Sequence, residues 1–392
     1  MQSFNKPSHI IITCSKRLTP FLQKETTELG FKICRLFQTG IEINGTLNDC
    51  INLNLRLRCA SQVLYSLKSF SCNNADELYD VVSQIQWESI IPKDKYFSIT
   101  SNVNTPSINN SLFANVKVKD AIADRFRNRF NARPDSGAEL NETVINLFWK
   151  NDYAEVFIDT SGETLSKHGY RKIPGKAPMM ESLAAATLLA TNWNRKSPFI
   201  NPMCGSSTLA IEAAMLATNR CPGLFRDSYG FMHILGFDQE FFKKEKQELC
   251  DEIKWIPGLK IIATDVSEDA INISKINAGA AGVADFIQFD VCDFAATNVP
   301  ENGNGIVFLN PEYGERMGDE AELEQTYARI GDFMKKECKG YTGYVFTGNL
   351  NLAKKIGLKP KRKIEFYNGK IDCRLLEYEL YSGSRREDRN EK

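Results

Sequence analysis

Histidine is scarce: His9, His168 and His233 are the only three in 392 residues. Eleven cysteines lie scattered from Cys14 to Cys373 without a single Cys-x-x-Cys pair. The two close ligand pairs of a structural zinc site are therefore missing, a histidine-built centre has too few donors, and no metal is expected. The odd, dispersed cysteines read as thiols of a reducing compartment, mostly buried as small hydrophobes. Neither sign of charge is in excess, with 49 Lys plus Arg against 49 Asp plus Glu, so global charge announces neither a nucleic-acid nor a membrane partner. No run approaches the ~20 apolar residues of a membrane span. Met1 to Thr13 also lacks the basic-then-apolar order and cleavage site of a signal peptide. A cytoplasmic chain without a membrane partner is expected. With 42% apolar and 25% charged residues, disordered, collagenous and coiled-coil classes are excluded. The length predicts two to three domains at roughly 150 residues each.

The chain reads as three stretches, residues 1–67, 68–161 and 162–383, followed by a charged tail, 384–392. The first alternates strand (Ile10 to Cys14), helix (Leu18 to Leu29), strand (Ile33 to Ile43), helix and strand, with Gly30 suited to a helix C-cap. The second continues in α+β style. Leu78, Val82 and Ile85 share a helical face, and Phe97, Ile99 and Val103 alternate as a strand does. Val118, Ile122, Phe126 and Phe130 recur every four residues and predict a helix. Among and beyond these apolar positions lie Lys117, Lys119, Arg125, Arg127, Arg129 and Arg133, outnumbering the three acids Asp120, Asp124 and Asp135. This is the candidate phosphate-contacting surface. The runs Thr143 to Trp149 and Ala154 to Asp159 predict a hairpin. In the third stretch strands and helices alternate, which predicts a mainly parallel sheet covered on both faces. A second basic run there comprises Lys354, Lys355, Lys359, Lys361, Arg362 and Lys363.

Four motifs in this third stretch carry chemistry. Asn201-Pro202-Met203-Cys204-Gly205-Ser206-Ser207-Thr208 follows the strand Phe199-Ile200 and opens a helix. A turn of small residues lets a ligand approach the backbone at the carboxyl edge of a parallel sheet. It has neither the lysine of a P-loop nor the three glycines of the dinucleotide fingerprint, which disfavours a nucleoside triphosphate. Ala263-Thr264-Asp265-Val266-Ser267 ends the next strand with an acid suited to the hydroxyls of a ribose, and equally to the first turn of the helix that Ser267 caps. Phe289-Asp290-Val291-Cys292-Asp293-Phe294 ends a third strand. Its Asp293 can accept from an exocyclic amino group and Phe294 can cover a purine, although an exposed loop acid is the plainer alternative. Phe308-Leu309-Asn310-Pro311-Glu312-Tyr313-Gly314 resembles Asn-Pro-Pro-Tyr, the substrate motif of methyltransferases acting on base amino groups. There the Asn oxygen and the following proline carbonyl accept from the amino nitrogen while the aromatic residue stacks on an extruded base. Together, in this order, the four spell adenosyl-methionine binding and amino-group methylation.

With these stand Leu165-Ser166-Lys167-His168-Gly169-Tyr170-Arg171, Ala177-Pro178-Met179-Met180-Glu181-Ser182-Leu183-Ala184-Ala185 and Asn277-Ala278, and the extension Glu315-Arg316 after Gly314. From Ile10 to Ser382 the chain resembles the THUMP-domain RNA methyltransferases of the bacterial ribosomal-RNA guanine-N2 type. The resemblance implies an α/β fold: a Rossmann-like class I methyltransferase domain, doubly wound on a mainly parallel sheet, preceded by α+β ferredoxin-like and THUMP domains. It implies S-adenosyl-L-methionine as cofactor and RNA, ribosomal in this family, as partner. The methionine end of the cofactor is put over Met203, Cys204, Gly205 and Ser206, framed by Asn201, Pro202 and Thr208. Asp265, with Val266, takes the ribose, and Asp293, with Phe294, takes the adenine. Asn310, Pro311 and Tyr313 take the target base, Asn310 also bordering the cofactor. RNA contact falls to Lys117, Lys119, Arg125, Arg127, Arg129, Arg133 and Arg171. The segment Arg220 to Gly258 reads as a family insertion in the methyltransferase domain. Cys204, in the cofactor loop, is read as a loop residue and not as a nucleophile.

Two positions depart from the family pattern. Ser207 replaces a glycine of the loop, bringing a Cβ where the backbone is expected to need positive φ. Glu312 replaces the second proline of the substrate motif, where a carboxylate either faces outwards or accepts from the N1-H and amino group of a guanine. The leading expectation is methylation of guanine N2 in large-subunit ribosomal RNA. The alternatives are tRNA guanine N2, adenine N6, or an RNA-binding protein with a degenerate active site.

Overall fold

The computed structural model describes residues 4–108, 110–176, 178–301, 304–313 and 320–381. It divides into two compact units. One comprises the chain up to Ser15, Leu22–Ser166 and Pro222–Asp251; the other comprises Lys16–Phe21, Lys167–Cys221 and the chain from Glu252.

The first unit is built on one eight-stranded sheet. Its strands are β1 (Ser8–Thr13), β2 (Ile33–Phe37), β3 (Gly40–Gly45), β4 (Gln62–Ser71), β5 (Tyr96–Asn104), β6 (Asp135–Gly137), β7 (Thr143–Lys150) and β8 (Tyr153–Asp159), in the order β2-β3-β1-β4-β8-β7-β5-β6. Helices α1 (Thr19–Glu28, in this unit from Leu22), α2 (Leu47–Arg56), α3 (Ala75–Ser83) and α4 (Ser111–Phe130) complete the α+β pattern. Local sequence sets the helix ends. Thr46 and Asp49 form a reciprocal capping box on α2. Asn110 caps α4, and Asn131 closes it in the left-handed conformation that asparagine tolerates. The boundary expected at residue 67 falls inside β4, which pairs with β1 through Gln62 to Tyr65 and with β8 through Leu64 to Ser71. The two stretches share that strand and one sheet.

Residues 222–251, expected within the third stretch, also belong to this unit. The physical reason is an aromatic cluster. Tyr229 and Phe231 stack at 4.9 Å, and Phe237 and Phe242, on helix α7 (Gln239–Asp251) and its approach, pack on them together with Phe4. A Cβ at Gly223 or Gly230 would strike the backbone of Leu55 or Asp159, so only glycine allows these close approaches.

The second unit carries helices α5 (Glu181–Leu189) and α6 (Thr208–Ala217), and strands β9 (Phe199–Pro202), β10 (Ile261–Asp265), β11 (Ile287–Val291), β12 (Ile306–Leu309), β13 (Thr342–Thr347), β14 (Arg362–Asn368) and β15 (Ile371–Glu379). Helices α8 (Glu268–Ala280), α9 (Glu320–Glu337) and α10 (Leu350–Lys355) lie between them in sequence. The sheet order is β11-β10-β9-β12-β13-β15-β14, parallel from β11 to β13 and antiparallel beyond. Strands β9 and β12 are short and buried throughout, as covered parallel strands are, whereas β11 at the sheet edge is largely exposed. The chain runs outward from β9 to β10 and β11, then returns across β9 to β12. The carboxyl ends of β9 and β12 therefore flank a topological switch point, where open α/β sheets hold their ligands. Among the described residues no helix is long and apolar enough to cross a membrane.

Candidate active site

The turn after β9 is wound tightly. Met203, Gly205 and Ser207 all have positive φ, at 57°, 56° and 58°. The Cys204 amide donates to the Thr264 carbonyl on β10 at 2.9 Å, and the Ser207 amide donates back to Cys204 at 2.8 Å. The serine found in place of glycine thus sits in left-handed conformation, a local cost of about 1 kcal/mol, and its buried Oγ has no hydrogen-bond partner. Burial pushes the Cys204 thiol up to about 12, which keeps it protonated and unsuited to nucleophilic attack.

Asp265 ends β10 and fastens this turn. Its Oδ2 accepts from the Gly205 amide at 2.9 Å and its Oδ1 from the Ser267 amide at 3.0 Å. A carboxylate offers about four lone-pair sites, so the pair that orders the loop leaves acceptor capacity for two hydroxyls. Ser274, on α8, donates to the Gly205 carbonyl at 2.9 Å and holds the turn from its other side. Beside the acid, Val266 is 77% exposed, an apolar surface at the mouth of the turn.

Asn201 links the two strands of the switch point. Its Nδ2 donates to the Phe308 carbonyl on β12 at 2.8 Å, while its buried Oδ1 has no partner. Two residues beyond Phe308, Asn310 likewise has a buried Oδ1 without a partner. Pro311 is buried, Glu312 is exposed, and Tyr313 is half-buried with its hydroxyl accepting from Asn368 at 2.7 Å. The exposure of Glu312 fits the outward-facing alternative. Gly314, Glu315, Arg316 and Ala177 lie outside the described residues.

Three expected roles change. Phe294 is a core side chain, not a purine cover. It is 6% exposed, meets Phe333 edge-on at 6.2 Å and packs with Leu309 and Ile262, because its short 3₁₀ turn points the ring into the sheet. Asp293 accepts from the Ala295 amide and from Arg329, whose guanidinium lies 2.7 Å away and holds the carboxyl below its ordinary range. Arg171, expected on RNA, is half-buried and spends its donors inside the protein. It donates to Glu181, to the Met179 carbonyl and to the hydroxyl of Thr208 at the start of α6. The segment after it is pinned by Asn277, which accepts from the amides of Lys172 and Ile173 and donates to the Ile173 carbonyl. Pro202, Ser206 and Thr208 stand where expected, around the turn.

The basic helix is also altered. Arg125 makes a bidentate pair with Glu88 at 2.6 and 2.8 Å, and Arg129 reaches the same carboxylate. Arg127 pairs with Asp124 at 2.8 Å, Lys117 with Asp76 at 3.0 Å, and Lys119 lies 3.8 Å from Asp120. Among the described residues Arg133 alone of the six makes no ion pair. Sequence reasoning missed Glu88, Arg329 and Asn368, and marked Asn277 without its role of pinning the segment after Arg171. No motif marks Glu88, Arg329 or Asn368, since each acts on a partner at least 36 residues away.

No group of three or more His, Cys, Asp or Glu side chains able to hold a metal occurs among the described residues. A switch-point turn fastened by an acid, beside an Asn-Pro turn with a free amide oxygen, defines a methyltransferase domain of the doubly wound class. A family model described as the RMKL-like methyltransferase domain matches residues 168–377, a THUMP domain matches 72–159, and an RlmL ferredoxin-like domain matches 9–64. The chain belongs to the RMKL-like methyltransferase family.

Among its relatives is the ribosomal RNA large subunit methyltransferase K/L of Syntrophotalea carbinolica, 34% identical over 385 residues, covering 95% of this chain and 54% of the relative. The chain spans about half the length of the curated relatives it matches. Similar solved structures include SMU.472, described as a methyltransferase and crystallised with SAH (26% identity, TM-score 0.87, 98% of this chain and 100% of that one). Another, from Listeria monocytogenes, bears the name of a predicted N6-adenine-specific DNA methylase (28% identity, TM-score 0.86, 96% and 97%).

Proposed function

We propose that this chain is an S-adenosylmethionine-dependent RNA methyltransferase acting on an exocyclic base amino group, N2 of guanine in large-subunit ribosomal RNA. The observation that carries the reading is the pairing of the Asp265-fastened turn with the free Asn310 Oδ1 across one switch point, strapped together by the Asn201–Phe308 bond. The names of the relatives support the ribosomal substrate. The substrate also accounts for a cytoplasmic protein.

The donor set fits the cofactor. The turn leaves its backbone open to a ligand, Asp265 keeps acceptor sites for a ribose, and Val266 offers an apolar face to an adenine. Buried, unpartnered Asn201 Oδ1 and Ser207 Oγ are polar groups that only a ligand or water can satisfy. When bound, S-adenosylmethionine supplies an activated methyl on a sulfonium, so the chain's own work is positioning. Asn310 Oδ1 and the Pro311 carbonyl accept from the target amino group, hold its lone pair in line with the methyl and stabilise the positive charge developing on nitrogen. Tyr313 stacks on the extruded base. Phosphate contact falls to Arg133, just beyond α4, and the THUMP match supports RNA contact in this part of the chain.

Incubating protein-free large-subunit ribosomal RNA with the protein and labelled donor, then analysing nucleosides by mass spectrometry, tests the reading. Labelled N2-methylguanosine is the expected product. Labelled N6-methyladenosine would replace the guanine assignment, and no labelled nucleoside would overturn the function.

A further inference from the structure

Tyr313 is held by residues that no motif marks. Its hydroxyl accepts from Asn368 Nδ2 at 2.7 Å, at the last residue of β14. The thiol of Cys373, on the paired strand β15, also lies in hydrogen-bonding reach of Tyr313. One edge of the ring rests on Gly348, just beyond β13: a Cβ built there would stand 3.0 Å from Cδ2 and 3.1 Å from Cε2 of Tyr313, and 2.7 Å from Cγ2 of Ile371. The floor beneath the ring is itself fixed. Thr347 is hydrogen-bonded to Tyr327 at 2.9 Å, and Asn349 caps α10 through the amides of Asn351 and Leu352.

A tyrosine side chain has two free torsions. An edge laid on bare backbone and a hydroxyl tied to an amide remove both, at the antiparallel hairpin β14–β15, far in sequence from the turn it serves. We infer that Asn368 and Gly348 are positioning residues that set the pose of Tyr313 as the stacking platform for the target base. The inference rests on the function proposed above. A platform set before the base arrives spares the ordering cost at the moment of capture. Its loss should lower the fraction of bound RNA that holds its base in line. It should leave overall RNA affinity, supplied elsewhere by phosphate contacts, in place.

The test compares Asn368→Ala, Tyr313→Phe, their double variant and Gly348→Ala with the native protein, using protein-free large-subunit ribosomal RNA and labelled donor. Tyr313→Phe and Asn368→Ala are each expected to lower kcat about 10-fold with KM for RNA unchanged, and the double variant to lose no more than either single. Gly348→Ala, whose Cβ displaces the ring, is expected to lose at least as much. Affinity for S-adenosylhomocysteine should stay within about two-fold in all four, because the cofactor turn is untouched. In the free protein labelled with 3-fluorotyrosine, the ¹⁹F resonance that vanishes in Tyr313→Phe should shift and broaden in Asn368→Ala. Native rates in Asn368→Ala and Gly348→Ala, or multiplying losses in the double variant, would overturn the positioning role while leaving the function standing. Equal loss of cofactor affinity and melting temperature would assign Asn368 to the scaffold alone. A native protein without transfer overturns the function, and this inference with it.

Discussion

Helix α4 and the turns after β9 and β12 are both polar, yet they end in opposite states. All five cations along α4 have found carboxylates, Glu88 serving two of them. At the switch point Asn201, Ser207 and Asn310 each keep a buried oxygen with nothing to bind. A buried polar atom left unpaired costs about 1–3 kcal/mol, so three in one place are a cost the fold alone does not explain. A row of charges that has consumed its own partners has little left to offer a phosphate. Polar content by itself therefore marks neither region. What marks a site is polar capacity that the chain has left unspent.

The sharpest break of this contrast is Asn310→Ala. Transfer should fall about 10²–10³-fold, the loss seen when a single preorganised polar contact to the reacting group is removed, while the dissociation constant for S-adenosylhomocysteine changes only a few-fold. Equal losses in both would give Asn310 a cofactor role. Next in size is Asp265→Ala, which should weaken S-adenosylhomocysteine by about 1–3 kcal/mol in calorimetry, since it removes the proposed ribose acceptor and frees the Gly205 amide.

On the satisfied side, Glu88→Gln should cost about 2 kcal/mol of stability at neutral pH, leaving Arg125 half-buried without its counter-charge. Hydrogen bonds from Arg125 hold the Glu88 carboxyl down to about 2. Its contribution is therefore complete above the ordinary pKa of 4.5 and lost as pH falls through 2. Thermal unfolding of native and variant proteins should differ at pH 7 and converge toward pH 2. A constant difference would show that the pair's charge is not what matters.

Ser207→Gly should raise stability by about 1 kcal/mol, read as a higher melting temperature, by relieving the positive φ. The smallest effect separates the two kinds of cation. Arg133→Ala should reduce the slope of log RNA affinity against log salt by about one, and Arg125→Met should leave the slope alone. If Arg125 moves the slope and Arg133 does not, the contrast drawn on α4 is wrong.

The sequence made the switch-point turns legible because short loops after parallel strands have few ways to be built. The run Asn201 to Thr208, the acid Asp265 and Asn310-Pro311 are read from neighbours in the chain, and the positive φ of Ser207 follows from a missing glycine. The doubly wound sheet follows from alternation alone. What escaped depends on distant partners. Counting charges between residues 115 and 135 saw six bases and three acids but not Glu88 or Asp76, which neutralise three of the bases from outside that window. Arg329 beside Asp293 and Asn368 on Tyr313 are equally remote. Residues 222–251 carry no mark of the unit they join, because aromatic rings pack by shape and area without regard to order along the chain.

Strand β4 is hydrogen-bonded on both sides, to β1 and to β8. Cutting the chain anywhere between Gln62 and Ser71 would divide a central strand and strip the donors and acceptors of β8 of their neighbour. Such a raw edge invites pairing with a second molecule. The ferredoxin-like and THUMP portions should accordingly be purified together or not at all: severed from each other, they would be expected to associate into dimers or precipitate.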